Sequence, residues 1–203
     1  MAKVHPHLLS SSSSSYSRFE ERSTGYYTVW MKSLVFNGNG CTIFDANGNV
    51  VYRVDNYDSK SCSQVFLMDL KGRVLSTLLK KKLRVNEHWN GYKNDRVNKE
   101  KAWFQVKKKS KLFSKGDGFS CQVKIRGDDF EALSCFKIQG SYKKSEFKIV
   151  RGDGLMVAQV KRKQSKQGVL LGDDVLSLEI EPNLDHSFII SLVIIHGLMS
   201  HKM

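Results

Sequence analysis

The sequence predicts a mainly β, antiparallel fold that encloses one apolar C-terminal segment. Short segments rich in Val, Ile, Phe, Tyr and Thr recur along the chain at the spacing of a β-meander. Between several of them stand Asn47-Gly48, Lys71-Gly72 and Asp153-Gly154, where Gly accepts the positive φ that tight hairpin turns demand. Near the end comes Phe188-Ile189-Ile190-Ser191-Leu192-Val193-Ile194-Ile195, which is apolar whichever periodicity is applied to it.

Taken in order, residues 1–24 hold the run Ser10 to Ser15 and no long apolar stretch, so they read as a disordered Ser-rich tail rather than a secretory signal. A Ser-rich start also suits an organellar transit peptide, but Glu20, Glu21 and the scarcity of early Arg count against it. Residues 25–203 read as a single domain. The 203-residue chain is 40% hydrophobic and can bury a sizeable core, and its two prolines, Pro6 and Pro182, leave no Pro-rich linker between two units. Strands are expected over 27–35, 50–55, 64–69, 74–79, 103–107, 134–139, 146–150 and 156–161.

Three hairpins share one pattern, a hydrophobic residue, four turn positions ending in Gly, a spacer and a second hydrophobic residue: Phe44 to Val50, Met68 to Val74, and Val150 to Met156. Either an internal duplication or the reuse of one turn solution accounts for it. The first, Asp45-Ala46-Asn47-Gly48-Asn49, opens like a calcium-binding EF-hand loop. Its twelfth position is Asn56 where Glu is needed, and it lies between strands, so a plain turn is expected. At the end, Asn183 or Asp185 can cap a helix and Gly197 can close it. A helix over 185–198 is ~21 Å long, too short for the ~30 Å apolar layer of a bilayer, so no transmembrane span is expected. The β-branched residues leave a long buried strand open as well. Either form has to be enclosed.

Four cysteines, Cys41, Cys62, Cys121 and Cys135, form no CxxC and have no His at metal-ligand spacing; with no Asn-x-Ser/Thr site either, free thiols in an intracellular compartment are expected. Catalytic signatures are equally scarce. His88, His186 and His196 are scattered, and no Walker A, GxSxG, HExxH or GxGxxG is present, so neither an enzyme nor a cofactor is expected. His186 and His196 read as features of the terminal helix's two ends.

The charge is far from scattered. Residues 71–115 hold fifteen Lys and Arg against three Asp and Glu, which is +12 of the chain's +13. Such a concentration selects partners that carry phosphate, meaning anionic lipid headgroups or nucleic acid, and says nothing of fold.

Several segments together resemble the LURP-one-related family of plant proteins, whose fold is shared with the tubby C-terminal domain and the phospholipid scramblases. They are Cys41 to Val50 with Asp45 and Gly48; Leu79-Lys80-Lys81-Lys82-Leu83 followed by Trp89; Phe136-Lys137-Ile138-Gln139-Gly140-Ser141-Tyr142; Ala158-Gln159-Val160-Lys161-Arg162-Lys163; and the stretch from Pro182 to Val193. The resemblance implies a closed antiparallel barrel of about twelve strands around one buried hydrophobic C-terminal helix, which removes exposed strand edges and leaves no open cavity for a small substrate. Tubby relatives recognise phosphoinositides through basic residues on the barrel exterior, so the resemblance also implies a headgroup site. Calcium-driven scrambling does not carry over: Asp185 is the sole acid after residue 181, and no cysteine cluster exists.

The candidate anion-binding residues are Lys80, Lys81, Lys82 and Arg84 in one run, Lys107, Lys108, Lys109 and Lys111 in a second, and Lys161, Arg162 and Lys163 in a third. Alternate strand residues face opposite ways, so only part of each run can share a patch. Trp89, Tyr92, Trp103 and Phe104 flank the basic region and read as barrel core before they read as base-stacking or interface aromatics. The functional expectation is a monomeric, non-enzymatic intracellular binding module for phosphoinositide or other anionic membrane phosphates, cytoplasmic or at a membrane surface, with the nucleus left open. The alternative is a regulatory protein, related to plant defence or transcription, that contacts an acidic protein or DNA.

Overall fold

Tight turns of one design set the register of the sheet. The computed structural model describes residues 23–31, 40–55, 63–83, 86–94, 97, 101–108, 118–126, 135–141 and 146–200; all but two residues of the Ser-rich tail, and Cys62, lie outside them. The strands are β1 (Gly25–Trp30), β2 (Gly40–Phe44), β3 (Val50–Asp55), β4 (Gln64–Asp69), β5 (Val74–Leu83), β6 (Asn86–Lys93), β7 (Phe104–Lys108), β8 (Gly118–Ile125), β9 (Cys135–Ser141), β10 (Glu146–Arg151), β11 (Met156–Arg162) and β12 (Val175–Ile180), followed by one helix, α1 (His186–Met199). Each strand pairs antiparallel with its sequence neighbours, and β1 pairs with β12 to close the barrel.

At the β2–β3 turn the Asp45 amide donates to Asn49 O and the Gly48 amide to Asp45 O; Asp69, Arg73 and Gly72 repeat this between β4 and β5, and Arg151, Leu155 and Gly154 between β10 and β11. Gly48, Gly72 and Gly154 all take the expected positive φ, at 84°, 77° and 93°. The Asp45 carboxylate accepts the amides of Asn47 and Asn49, and that of Asp69 the amides of Lys71 and Arg73. The stretch that opens like a calcium loop is therefore a hairpin turn whose acid is committed to its own backbone. Each of the three turns is followed by a one-residue register shift, at Ile43/Phe44, Leu67/Met68 and Ile149/Val150, as a turn with a Gly bulge produces. A fourth copy, Ser165 to Val169 with Gly168 at φ 79°, shapes the β11–β12 connection and was not expected from the sequence.

Inward residues of the strands, among them Val29, Ile43, Val54, Leu67, Leu78, Val106, Val123, Ile138, Ile149, Val160 and Leu178, make one core with α1. The terminal segment is a helix and not a strand. Asp185 caps it, its carboxylate accepting the Phe188 amide at 3.1 Å, and Ser200 closes it. Every residue from Phe188 to Gly197 is buried, as a helix inside a barrel requires. Its first turn meets aromatic rings, Phe188 lying 5.1 Å from Phe104 and 5.4 Å from Phe136, while His196 near its last turn stacks between Phe119 and Phe147 at 4.3 and 4.1 Å. The helix therefore runs along the barrel axis and fills it. Because the barrel is up-and-down, the β1–β2, β3–β4, β5–β6, β7–β8, β9–β10 and β11–β12 connections share one end, the rim where α1 terminates.

The expected strands at 50–55 and 64–69 match, and the others differ at their ends: β5 runs on to Leu83, carrying the triple lysine into the sheet. Strands β2, β6, β8 and β12 were not expected individually. Among the described residues, no helix is long and apolar enough to cross a membrane.

Candidate basic face of the barrel

Strand alternation sorts the lysine runs. On β5, Ser76 and Leu78 are buried in the barrel, so Lys80 shares their face and sits half-buried at the rim, while Lys81 points outward and is exposed. On β7, Phe104 and Val106 face inward, which places Lys108 at the rim and Lys107 on the outer wall. The two runs are not adjacent, because β6 lies between them. Lys81 stands opposite His88, His88 opposite Lys107, Lys107 opposite Gln122, and Gln122 opposite Lys137. With strands ~4.8 Å apart, Lys81, Lys107 and Lys137 recur about every 10 Å along one rung. That spacing spreads like charges that would repel if directly opposed.

Two further lysines join this wall. Lys124 is opposite Gln105 and diagonal to both Lys107 and Lys137, and Lys148 is opposite Gln139 and diagonal to Lys137. The outward residues of β7, β8 and β9 are Gln105, Lys107, Ser120, Gln122, Lys124, Cys135, Lys137, Gln139 and Ser141, with no carboxylate among them. Among the described residues, none of Lys81, Lys107, Lys124, Lys137 and Lys148 forms an ion pair. Sequence reasoning singled out Lys81 and Lys107 and missed Lys124, Lys137 and Lys148. Each missed lysine is isolated in sequence, and only the pairing register brings it to the patch.

The third run is elsewhere. Strand β11 lies six places from β5 in a ring of twelve, so Lys161, Arg162 and Lys163 occupy the opposite side of the barrel, at the same rim. Lys161 is exposed, Arg162 is 3.3 Å from Asp173, and Lys163 donates to Thr28 Oγ1. A shallow groove of about 200 Å³ beside them includes Tyr26, Gln159, Lys161, Lys163, Ser177 and Glu179. Its charge is mixed, and Glu179 pushes the Tyr26 hydroxyl above its ordinary pKa. Arg84, Lys109 and Lys111 lie outside the described residues, as does the side chain of Lys82.

Of the aromatics flanking the basic region, Trp89 and Phe104 belong to the core, Trp103 packs against it, and Tyr92 is buried outside that cluster at an outward register position of β6. Trp89 and Phe104 are fully buried and Tyr92 is buried; Trp103 packs 5.5 Å from Phe104 and 5.2 Å from Phe188, with the Lys93 ammonium 4.5 Å above its ring. The histidines are apart: His88 takes an outward register position on β6 but is buried, His186 shares a 2.8 Å hydrogen bond with the Tyr27 hydroxyl beside the start of α1, and His196 lies between phenyl rings. Cys41 and Cys121 are free and buried. Burial raises the pKa of both thiols, that of Cys121 to about 11 despite the opposing charge of Lys108.

A closed twelve-stranded antiparallel barrel, plugged along its axis by a helix buried from Phe188 to Gly197 and carrying a lysine-rich outer wall with no carboxylate facing outward from β7, β8 or β9, defines the class of protein. The LURP-one-related family profile matches residues 26–197, and the chain belongs to that family. It is 42% identical over 210 residues to the Arabidopsis thaliana protein LURP-one-related 11, covering 98% of this chain and 89% of that one. It is 45% identical over 181 residues to LURP-one-related 3 of the same plant, covering 87% and 80%. An Arabidopsis thaliana protein solved by X-ray superposes with a TM-score of 0.61 at 20% identity, over 85% of this chain and 89% of that one, which shows the shared fold.

Proposed function

We propose that this protein is a non-enzymatic intracellular module, acting as a monomer, that binds phosphoinositide or other anionic membrane phosphates through the outer wall of β5 to β10. The observation that supports this reading is the rung Lys81–His88–Lys107–Gln122–Lys137, flanked by Lys124 and Lys148, with no carboxylate facing outward from β7, β8 or β9. Ammonium groups at ~10 Å intervals over amides and hydroxyls suit an array of phosphates, each Lys near an anionic surface contributing about 1 kcal/mol. The plugged core favours recognition on the exterior over capture of a small substrate inside. The fold kinship with tubby domains that the family resemblance implies is in keeping with this reading.

The test is co-sedimentation with charge-matched liposomes, phosphoinositide against phosphatidylserine, at near-physiological salt with duplex DNA as competitor. Preferential phosphoinositide binding that DNA does not displace is the expected result. The variant K81E/K107E, altered only at exposed side chains, is expected to lose affinity at least ~30-fold, from two lost attractions and two added repulsions. Unchanged binding by this variant, in a protein that still melts cooperatively, refutes the reading. Equal binding to every polyanion makes the wall a generic basic surface and turns the search to DNA or an acidic protein partner.

A further inference from the structure

Four hairpin turns share one design, and the side chain at their first position differs. Asp45 and Asp69 each accept the amides two and four residues on, at 2.8 to 2.9 Å, with a carboxylate oxygen. Arg151 stands there in the third turn, where Asp153 accepts the Leu155 amide instead. In the fourth, between β11 and β12, it is Ser165, whose hydroxyl accepts the amides of Gln167 and Val169 at 3.2 and 3.3 Å. The corresponding pair of amides therefore meets a neutral oxygen, from farther off, where two sister turns supply an anion. Backbone amides that converge on one point favour negative charge there.

The residues around Ser165 are cationic and within reach of a partner. Residues 161–174 hold four Lys and Arg against two Asp, and the run Arg162-Lys163-Gln164-Ser165-Lys166 sets Arg three residues before the hydroxyl and Lys two before and one after it. Such a segment complements the acidic substrate groove of a basophilic protein kinase. Ser165 is half-buried, while Gln164 and every residue from Lys166 to Leu171 are exposed. Gln164 faces Leu170 across the hairpin, so Lys163 and Ser165 share its other face. Arg162 pairs at 3.3 Å with Asp173, whose side chain is 80% exposed, and an ion pair so open to solvent is weakly held.

We propose that Ser165 is a phosphorylation site for a basophilic serine/threonine protein kinase, and that the phosphate it gains clamps the hairpin. Ser165 Oγ attacks the γ-phosphorus of ATP, the bond from that phosphorus to the bridging oxygen of the β-phosphate breaks, ADP leaves, and the hydroxyl proton passes to the kinase's base. The phosphate, at about −2, takes the place of the carboxylate in the sister turns, accepts from the turn amides and draws the Lys163 ammonium away from Thr28 Oγ1. It cancels the surplus charge of the third basic run and leaves the wall of β5 to β10, across the barrel, as it was. None of this depends on what that wall binds.

The folded full chain is incubated with ATP and the catalytic subunit of cyclic-AMP-dependent protein kinase, a basophilic enzyme, then digested for mass spectrometry. Phosphate on the peptide that holds Ser165 is the expected result. Ser165→Ala abolishes it there, and Arg162→Gln, its fold verified by a thermal melt, slows it on the order of tenfold. Amide hydrogen exchange, followed by NMR, reads the clamp. In the phosphorylated chain, and in Ser165→Asp, which copies Asp45, the Gln167 and Val169 amides are expected to exchange about threefold more slowly than in the wild type. No phosphate on Ser165 in the folded chain, or phosphate that appears there only once the chain is unfolded, overturns the site. Phosphate on Ser165 with unchanged or faster exchange at both amides overturns the clamp.

Discussion

Alanine substitutions at Leu192, Val193 and Ile194 test whether α1 is enclosed on all sides. These consecutive residues project at 100° intervals around the helix and are each 0% exposed. A helix lying on a sheet would show one costly position and at least one tolerant one. Enclosure makes all three costly. Leu192→Ala and Ile194→Ala each remove about three methylene equivalents at ~0.8 kcal/mol and leave a cavity, giving about 3–4 kcal/mol, and Val193→Ala, with less to lose, about 2 kcal/mol. For a domain of this size 3 kcal/mol lowers Tm by roughly 6–12 °C. Urea melts followed by the fluorescence of the buried Trp89 measure the differences directly. A loss below ~0.5 kcal/mol at any of the three positions reveals an open helix face and refutes the plugged barrel.

Two glycines in neighbouring paired strands give a matched test of close packing. A Cβ on Gly140 would lie 2.2 Å from Glu146 O and 2.6 Å from Phe147 Cβ, so Gly140→Ala is expected to destabilise by about 2 kcal/mol or more, whereas Gly118→Ala, whose nearest neighbour is 3.7 Å away, is expected to change a melt little. Acid should weaken the turns. Hydrogen bonds from the Asn49 side chain and backbone lower the Asp45 pKa below 3.8, and those from Arg151 and the Leu155 amide do the same for Asp153. A folded pKa below the unfolded one gives stability that is present above the unfolded value and lost as pH falls through the folded value. The destabilisation caused by Asp45→Ala, measured by urea melts at neutral pH, is therefore expected to shrink well below pH 3.8, and an NMR titration should place Asp45 under that value.

How far the sequence could be read follows from what each element depends on locally. The three Gly turns and the capped apolar helix are set by a few contiguous residues, and Asp45, Gly48, Asp185 and Phe188 stand where local chemistry puts them. Strand β8 alternates cleanly, burying Phe119, Cys121 and Val123, and so does β12 with Leu176, Leu178 and Ile180; Asp117-Gly118 at the start of β8 is a local signal that could have found it, and β12 follows no Asn-Gly or Asp-Gly. Strand β6 is harder, because Asn86, Asn90 and Gly91 carry poor strand propensity and its place is secured by Trp89 in the core. The basic wall was legible only in part. Which lysines share a rung depends on the cross-strand register from β5 to β10, a non-local property, so Lys124, Lys137 and Lys148 carry no local mark of their neighbours.

The order in which the parts are made has a consequence for how the molecule matures. The strand that closes the ring against β1 follows it by about 150 residues, and the helix that fills the interior comes after every strand. A ribosome therefore releases the whole wall before the plug. Until α1 emerges, the nascent sheet has nothing to wrap and its outermost edges, β1 and β12, are unpaired and open to neighbouring chains. The last step of folding must be insertion and closure together, a non-local event that is slow for its size and that leaves the growing chain in need of chaperone shelter.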